Sequence, residues 1–357
     1  MTPGGIVMML SGFPRSSEAF ALADVAALDQ RGLLAAVFAT EPGESAAIQP
    51  EAARLAPRVQ VLAGDPLSQA RDAAARLEGI AVRGVHAYFA HTPAEVGALL
   101  AERLNVRFGF SIHARDARKV TRPELHRRAV RAACVIACNL DVARELQGAA
   151  ARVHLVPHGV DLVRFTPGPI RRESTLHLLA VGGLVAKKGF DVLLDAVTAL
   201  TLPWHLRIIG DGSELGRLIA QRDALGLARR VSFQGATTHD RLPDEYRWAD
   251  IVVVPSVEDR SGDRDGLPNV VLEAMASGCA VVASDVAAIA SAVRHAHTGL
   301  LVPARDRGAL VRAIETLGSD PGRRASLGRS ARRFAEHQYD VRACTARLAS
   351  VLEAAYA

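Results

Sequence analysis

Residues 265–278 read DGLPNVVLEAMASG. A carboxylate, Asp265, stands directly before Gly-Leu-Pro, and a second, Glu273, follows eight positions later. Apolar runs flank the stretch, IVVVP at 251–255 before a long polar loop and AVVAS at 280–284 behind it. A short apolar run, a helix-length segment and another apolar run spell a strand–helix–strand unit of a parallel sheet covered on both faces. Pro268 suits the first helical position, where its missing N–H would have had no partner. Gly278 suits the stop. The helix start, with Gly266 allowing close approach, can hold an anion such as a diphosphate. Glu273 then falls in the first or second turn, within reach of ribose hydroxyls, and Asp265 can accept from another set of hydroxyls. The plainer alternative is a capped core helix, which would bury Glu273 beside Leu272 and Met275 and oblige it to find a partner.

The same alternation runs in both directions from this unit. Strands are expected at 6–10, 33–39, 59–62, 84–89, 108–112 and 135–138, with helices at 18–31, 67–77 and 93–104 between them. Pro157, Gly159, Pro167, Gly168 and Pro169 then punctuate a connector without period. A second series follows: strands at 176–181, 205–209, 231–234, 251–255 and 280–284, helices at 189–199, 213–225 and 268–277, and a helical tail. Two α/β domains of the Rossmann-like, doubly wound kind are expected, at 1–168 and 169–338, with a last helix at 339–357 returning to the first domain. Ligands of such sheets sit beyond the carboxyl ends of the strands, so the loops there should carry the chemistry.

Composition narrows the function. At 357 residues the chain exceeds one ordinary core. With 49% hydrophobic and 23% charged residues it reads as a packed globular protein. No run of ~18 apolar residues occurs, so no membrane-spanning helix is expected, and the N-terminal stretch lacks the basic and small-residue features of a signal peptide. Four dispersed cysteines suggest neither zinc nor disulfides, and a reducing cytoplasm. A net charge of +5 with only 4% aromatics argues against nucleic acid. The basic stretch HARDARKVTRPELHRRAVR (113–131) reads as a solvated helix face, with peripheral contact to an anionic membrane as the alternative.

Four further places could carry chemistry. In AVGGLVAKKGFDVLLDAV (180–197), Gly182 and Gly183 turn out of a strand and Lys188 stands at a helix start, where it can neutralise a phosphate, although a surface lysine pair beside a turn accounts for the same residues. IIGDGSEL (208–215) repeats a strand-to-helix turn around Gly212, a weak signal alone. His113 follows an apolar strand in GFSIHARD, placed to bond a substrate hydroxyl, although a lone histidine is more often structural. Gly12 in LSGFPRSSEAF marks the first strand-to-helix turn, where an anion or acceptor could dock.

Taken together, FPRSSEAF, YFAHTPAEVGALLAERLNVRFGFSIHARD, LVPHGVDLVRF, LVAKKGFDVLL and DGLPNVVLEAMASG resemble the retaining glycosyltransferases of glycosyltransferase family four, in the branch associated with exopolysaccharide and colanic-acid-type assembly. The resemblance implies the GT-B fold, two Rossmann-like domains facing across a cleft that closes by hinge motion near residue 165. It implies transfer of a hexose-type sugar from a nucleotide-sugar, UDP favoured and GDP second, to a glycan, lipid-linked or small-molecule acceptor. The nucleotide-sugar is a substrate, and no cofactor or metal is implied. Asp265 would contact donor-sugar hydroxyls, Glu273 the ribose, and His113 the sugar. Lys188 would stabilise the leaving phosphate. Gly266, Leu267, Pro268, Asn269 and Val270 would line the diphosphate with Gly12, Gly182, Gly183 and Gly212.

Two departures stand out. The family usually has Glu at the place of Asp265, and Arg at the place of Gly183, whose arm Lys187, Arg260 or Arg264 would have to supply. Competing readings are a metal-dependent site at Asp263-Arg264-Asp265, a nucleotide-sugar epimerase, and a non-catalytic GT-B partner of another transferase, which Gly183 favours. The expected location is cytoplasmic, with peripheral attachment at the inner membrane face as the variant.

Overall fold

The computed structural model describes residues 4–15, 18–44, 50–114, 119–149, 151–169 and 175–357. The chain divides into two units, one of Met1–Gly159 with Val341–Ala357 and one of Val160–Asp340. The expected boundary at 168/169 is thus replaced by a division after Gly159, because Val160 bonds within the second unit, its N–H donating to the Tyr339 carbonyl at 2.7 Å. Residues 170–174 of the expected connector lie outside the described residues.

The first unit is built on β1 (Gly5–Leu10), α1 (Ala19–Gln30), β2 (Leu34–Ala39), α2 (Pro50–Leu55), β3 (Val59–Val61), α3 (Pro66–Arg76), β4 (Val82–Ala87), α4 (Thr92–Leu104), β5 (Arg107–Ile112), α5 (Arg122–Arg131), β6 (Val135–Ala137), α6 (Leu140–Glu145) and β7 (Val153–Leu155). Its seven strands are parallel in the order β3-β2-β1-β4-β5-β6-β7. Apolar layers cover both faces, with Val7, Met9 and Phe110 in one and Ile6, Met8 and Leu10 in the other. This explains why β1 reads as a continuous apolar run instead of an alternating one. Tyr356, the last aromatic residue, inserts above β4 and β5, where a Cβ on Gly84 or Gly109 would meet its ring or hydroxyl at 2.1 or 2.5 Å. Its hydroxyl lies 3.0 Å from His86 Nδ1, whose Nε2 lies 2.9 Å from Ser111 Oγ. Burial pushes the His86 imidazole down to about 3, so the bond is one between neutral groups.

The second unit runs β8 (Leu176–Val181), α7 (Phe190–Val197), β9 (Trp204–Ile209), α8 (Leu215–Ala224), β10 (Val231–Phe233), α9 (Leu242–Trp248), β11 (Ile251–Val254), α10 (Asn269–Ala276), β12 (Ala280–Ser284), α11 (Ile289–Ala292), β13 (Leu300–Val302), α12 (Arg307–Ser319) and α13 (Pro321–Gln338). The strands are parallel in the order β10-β9-β8-β11-β12-β13. Ile251 and Val253 enter one apolar layer, Val252 and Val254 the other, so every residue of β11 is core. The order reverses between β8 and β11, and the loops leaving these two strands therefore flank the crevice that an open parallel sheet offers to a ligand. A final helix, α14 (Val341–Ala355), belongs to the first unit. Among the described residues no helix is long and apolar enough to cross a membrane, and all four cysteines are buried and outside any disulfide.

Candidate functional site

The loop after β8 carries Lys187 and Lys188 in a 3-10 turn, Ala186–Lys188, which Gly189 closes in the left-handed region at φ 64°. A Cβ on Gly189 would stand 2.0 Å from the Pro255 carbonyl oxygen. Glycine is thus what lets the lysine turn lie directly on the loop that leaves β11. The Val257 N–H donates to the Lys187 carbonyl at 2.8 Å and fastens the two loops together.

Their side chains meet in a compact ion network. Lys188 Nζ donates to Asp265 Oδ2 at 2.8 Å, and Ser256 Oγ donates to the same oxygen at 2.9 Å. Lys187 Nζ lies 3.7 Å from the other oxygen, Oδ1, and donates to Asp263 at 3.0 Å. Asp265 is only 8% exposed. A carboxylate so enclosed needs its charge met and its lone pairs filled, and two ammonium groups and a hydroxyl do both. Arg264, named as a substitute for the absent arginine, instead pairs with Glu258 at 3.1 Å. Arg260 is exposed. Of the three candidates named for that place, Lys187 is the one whose charge converges on Asp265.

Pro268 is the residue before the helix, not its first, since its extended ψ of 137° places α10's start at Asn269. Having no N–H, Pro268 offers no donor to an anion and serves to set the entry angle. Among the described residues no side chain caps α10, which leaves the amide ends at Asn269 and Val270 oriented as an anion site requires. At its far end Arg332 of α13 donates to the Ala276 carbonyl, and also to those of Leu162 and Phe165.

Glu273 lies in the second turn of α10 and is 6% exposed. The partner that a buried acid demands is double. Tyr246 of α9 donates its hydroxyl to Oε2 at 2.8 Å, and His239 Nε2 lies 3.2 Å from Oε1. Arg164 NH1 lies 2.7 Å from His239 Nδ1. Burial and the Glu273 charge together hold the Tyr246 phenol well above its ordinary range, so it remains a donor. Arg164, His239 and Tyr246 lie outside the site expected from sequence. Only the need of a buried Glu273 for partners pointed towards such residues, without naming them.

The remaining expected residues fall in two groups. Gly182 and Gly212 serve packing between neighbouring turns. The Gly182 N–H donates to the Ile209 carbonyl, and a Cβ on Gly212 would meet the Leu184 carbonyl oxygen at 2.5 Å. Gly212's own N–H is engaged by Asp211 Oδ1 at 2.7 Å. Gly183 differs, being exposed, and among the described residues only the Asp211 carbonyl oxygen, at 3.8 Å, comes near a Cβ there. Gly12 and His113 belong to the first unit. A Cβ on Gly12 would strike the Pro42 carbonyl oxygen and the Arg15 side chain, at 2.7 and 2.8 Å. His113, buried just past β5, stacks on Tyr88 and His158 with ring centroids 5.1 and 5.0 Å apart, and Phe20 packs on His158 at 4.1 Å. In the basic stretch, residues 115–118 lie outside the described residues. Arg127 and Arg128 pair with Glu124, and Arg128 also donates to the carbonyls of Ala90 and His91.

Comparison with known proteins bears on both units. A family model described as Glycosyltransferase Family 4 matches residues 18–164, and one described as Glycosyl transferases group 1 matches 175–320. The chain belongs to glycosyltransferase family four. This family-four chain is 35% identical over 206 residues to the D-inositol 3-phosphate glycosyltransferase of Rhodococcus jostii, covering 52% of this chain and 44% of that protein. It is 31% identical over 201 residues to the Escherichia coli K12 protein WcaL, named for a colanic acid biosynthesis glycosyltransferase, covering 55% and 50%. The matched stretch thus spans about half the length of these relatives. Among solved structures, Anabaena HepE, crystallised in complex with UDP, superposes with a TM-score of 0.83 at 20% identity, covering 98% of this chain and 100% of that one. The fold is GT-B.

Proposed function

We propose that the chain is a retaining glycosyltransferase that takes a hexose-type sugar from a nucleoside diphosphate, uridine ahead of guanosine, and passes it to a glycan, lipid-linked or small-molecule acceptor. The observation that carries the reading is the convergence of Lys188 and Lys187 on Asp265, across the β8/β11 reversal. An arriving diphosphate exchanges with the Asp265 carboxylate for these two ammonium groups, and Asp265 is released towards the hydroxyls of the sugar. Lys187 takes the part of the arginine that Gly183 removes. Asn269 and Val270 amides meet the phosphate oxygens, with Gly266 and Leu267 shaping the approach. Glu273 accepts from the ribose.

In the transfer itself, the bond between C1 of the sugar and the phosphate oxygen breaks, and its electron pair goes to the diphosphate. Lys188 and Lys187 meet the charge that develops there, which stabilises the transition state more than the ground state. The acceptor oxygen bonds to C1 on the face the phosphate leaves, and its proton passes to a phosphate oxygen. Configuration is thereby kept. The role of His113 towards the donor sugar rests on the family resemblance.

Independence of metal is part of the same reading. Asp263 and Asp265, the two carboxylates a divalent cation would need, each accept a lysine ammonium group. Calorimetric titration with UDP and GDP in excess EDTA tests it. Binding of one nucleotide is expected. Binding that appears only with Mn²⁺ would overturn metal independence, and no binding under either condition would overturn the transferase reading in favour of a non-catalytic partner.

A further inference from the structure

We propose that His239 and Arg164 are positioning residues that aim Glu273 at the ribose of the donor nucleotide, a role that rests on the donor-site reading above. A guanidinium has only N–H donors and no acceptor. Arg164 NH1 lies 2.7 Å from His239 Nδ1, so that nitrogen must offer its lone pair. The proton of the neutral ring is therefore on Nε2, and Nε2 faces Glu273 Oε1 at 3.2 Å. Arg164 thus selects the tautomer that lets His239 donate to Glu273. The chain of donation runs in one direction, from the cation through the ring to the carboxylate, and each bond polarises the next.

Tyr246 completes the arrangement from the other side. Its hydroxyl donates to Oε2 at 2.8 Å. One donor on each oxygen fixes the plane of the carboxylate and leaves each oxygen a second lone pair. Two fixed acceptor sites on one carboxylate match the two adjacent hydroxyls of a ribose. With His239 removed, Oε1 loses its donor and the carboxylate can rotate about χ3, a broad two-fold torsion. The diol contact suffers, while the diphosphate contacts at Lys188 and α10 do not involve this ring. The placement also explains the position of His239 in the loop after β10, two strands away from β8, where local sequence spacing gives no reason for a histidine.

The test is the ratio of dissociation constants for 2′-deoxy-UDP and UDP, or the guanosine pair if GDP is the nucleotide bound, measured by calorimetry on the whole chain. Wild type should prefer the ribonucleotide by about 10- to 100-fold, the worth of a hydrogen bond to a charged group. His239→Ala should bring the ratio down at least roughly fivefold, whereas a merely structural loss would weaken both ligands alike and leave the ratio unchanged. His239→Gln, which keeps an N–H towards Glu273, should restore most of the preference. Arg164→Met leaves the ring present but frees its tautomer, and should lower the ratio even where His239→Ala does not fold. A wild-type preference that survives in both His239→Ala and Arg164→Met overturns this proposal alone. A wild type that binds the nucleotide without preferring ribose removes Glu273 from the sugar and the proposal with it. A wild type that binds neither nucleotide overturns the donor-site reading itself.

Discussion

Asp24 of α1 offers the most quantitative check on the first unit. Its carboxyl is 9% exposed and accepts the hydroxyl of Tyr88, the ring that stacks on His113. Burial raises it from 3.8 to about 6, with the Tyr88 bond working in the opposite direction. The native carboxyl therefore holds its proton more tightly than the unfolded chain does. Between pH 3.8 and 6 the native state binds more protons, and stability falls as pH rises through that window. Below it the group contributes nothing, and above it the full cost is present, about 3 kcal/mol for a gap of this width. Asp24→Asn removes that cost while keeping an oxygen for Tyr88. It adds an amide N–H₂ that must find acceptors, an expense of about 1–3 kcal/mol that does not change with pH. The difference in stability, variant minus wild type, should thus rise by about 3 kcal/mol from pH 3 to pH 8, most of it between pH 4 and pH 6. For a unit of this size that is roughly 6–12 °C in melting temperature. Scanning calorimetry reads it on the transition of the first unit, since two units need not melt as one. Parallel curves for the two proteins from pH 4 to pH 8 would refute the buried, proton-retaining carboxyl.

Three other outcomes follow from the second unit. Glu273→Gln keeps the size of the side chain and an oxygen for Tyr246, and should reduce transfer at least ~100-fold with circular dichroism unchanged; near-normal transfer would remove the ribose assignment. Gly183→Arg enters open space, with nothing nearer to a Cβ than 3.8 Å, and should tighten UDP binding about tenfold by adding a charged hydrogen bond; calorimetry showing weaker binding would count against a diphosphate at this turn. Gly189→Ala must adopt φ 64° against the Pro255 carbonyl, and should cost more than ~1 kcal/mol by denaturant titration while displacing Lys188 and weakening UDP binding; an unaffected midpoint would show that the lysine turn does not depend on that close approach.

Much of the architecture was legible because parallel strands buried on both faces announce themselves as apolar runs. β8 and β11 fall at or near their expected limits. β7 and β13, three residues each, went unread. β4 ends at Ala87 instead of 89, since Tyr88 and Phe89 turn their rings into the cluster around His113. At the candidate site, Lys188 and Asp265 could be picked out because each stands just ahead of a helix, and Glu273 because an apolar helix would bury it. Their pairings could not. Lys187 and Asp263 meet across 76 positions, and Tyr246 reaches Glu273 from another helix 27 positions away. Such pairs are products of strand order, and a single sequence does not carry it.

The discontinuity of the first unit has a consequence for synthesis. Gly159 and Val341 lie side by side, a Cβ on the glycine standing 2.2 Å from the valine Cα, and everything between them belongs to the second unit. A ribosome therefore delivers β1 to β7 long before it delivers α14. At about 5–20 residues per second the nascent sheet waits roughly 10–40 s for its final helix. During that interval the slot over Gly84 and Gly109 has no Tyr356 in it, and the His86 imidazole lacks one of its two partners. The second unit, continuous from Val160 to Asp340, can fold while the first is still unfinished.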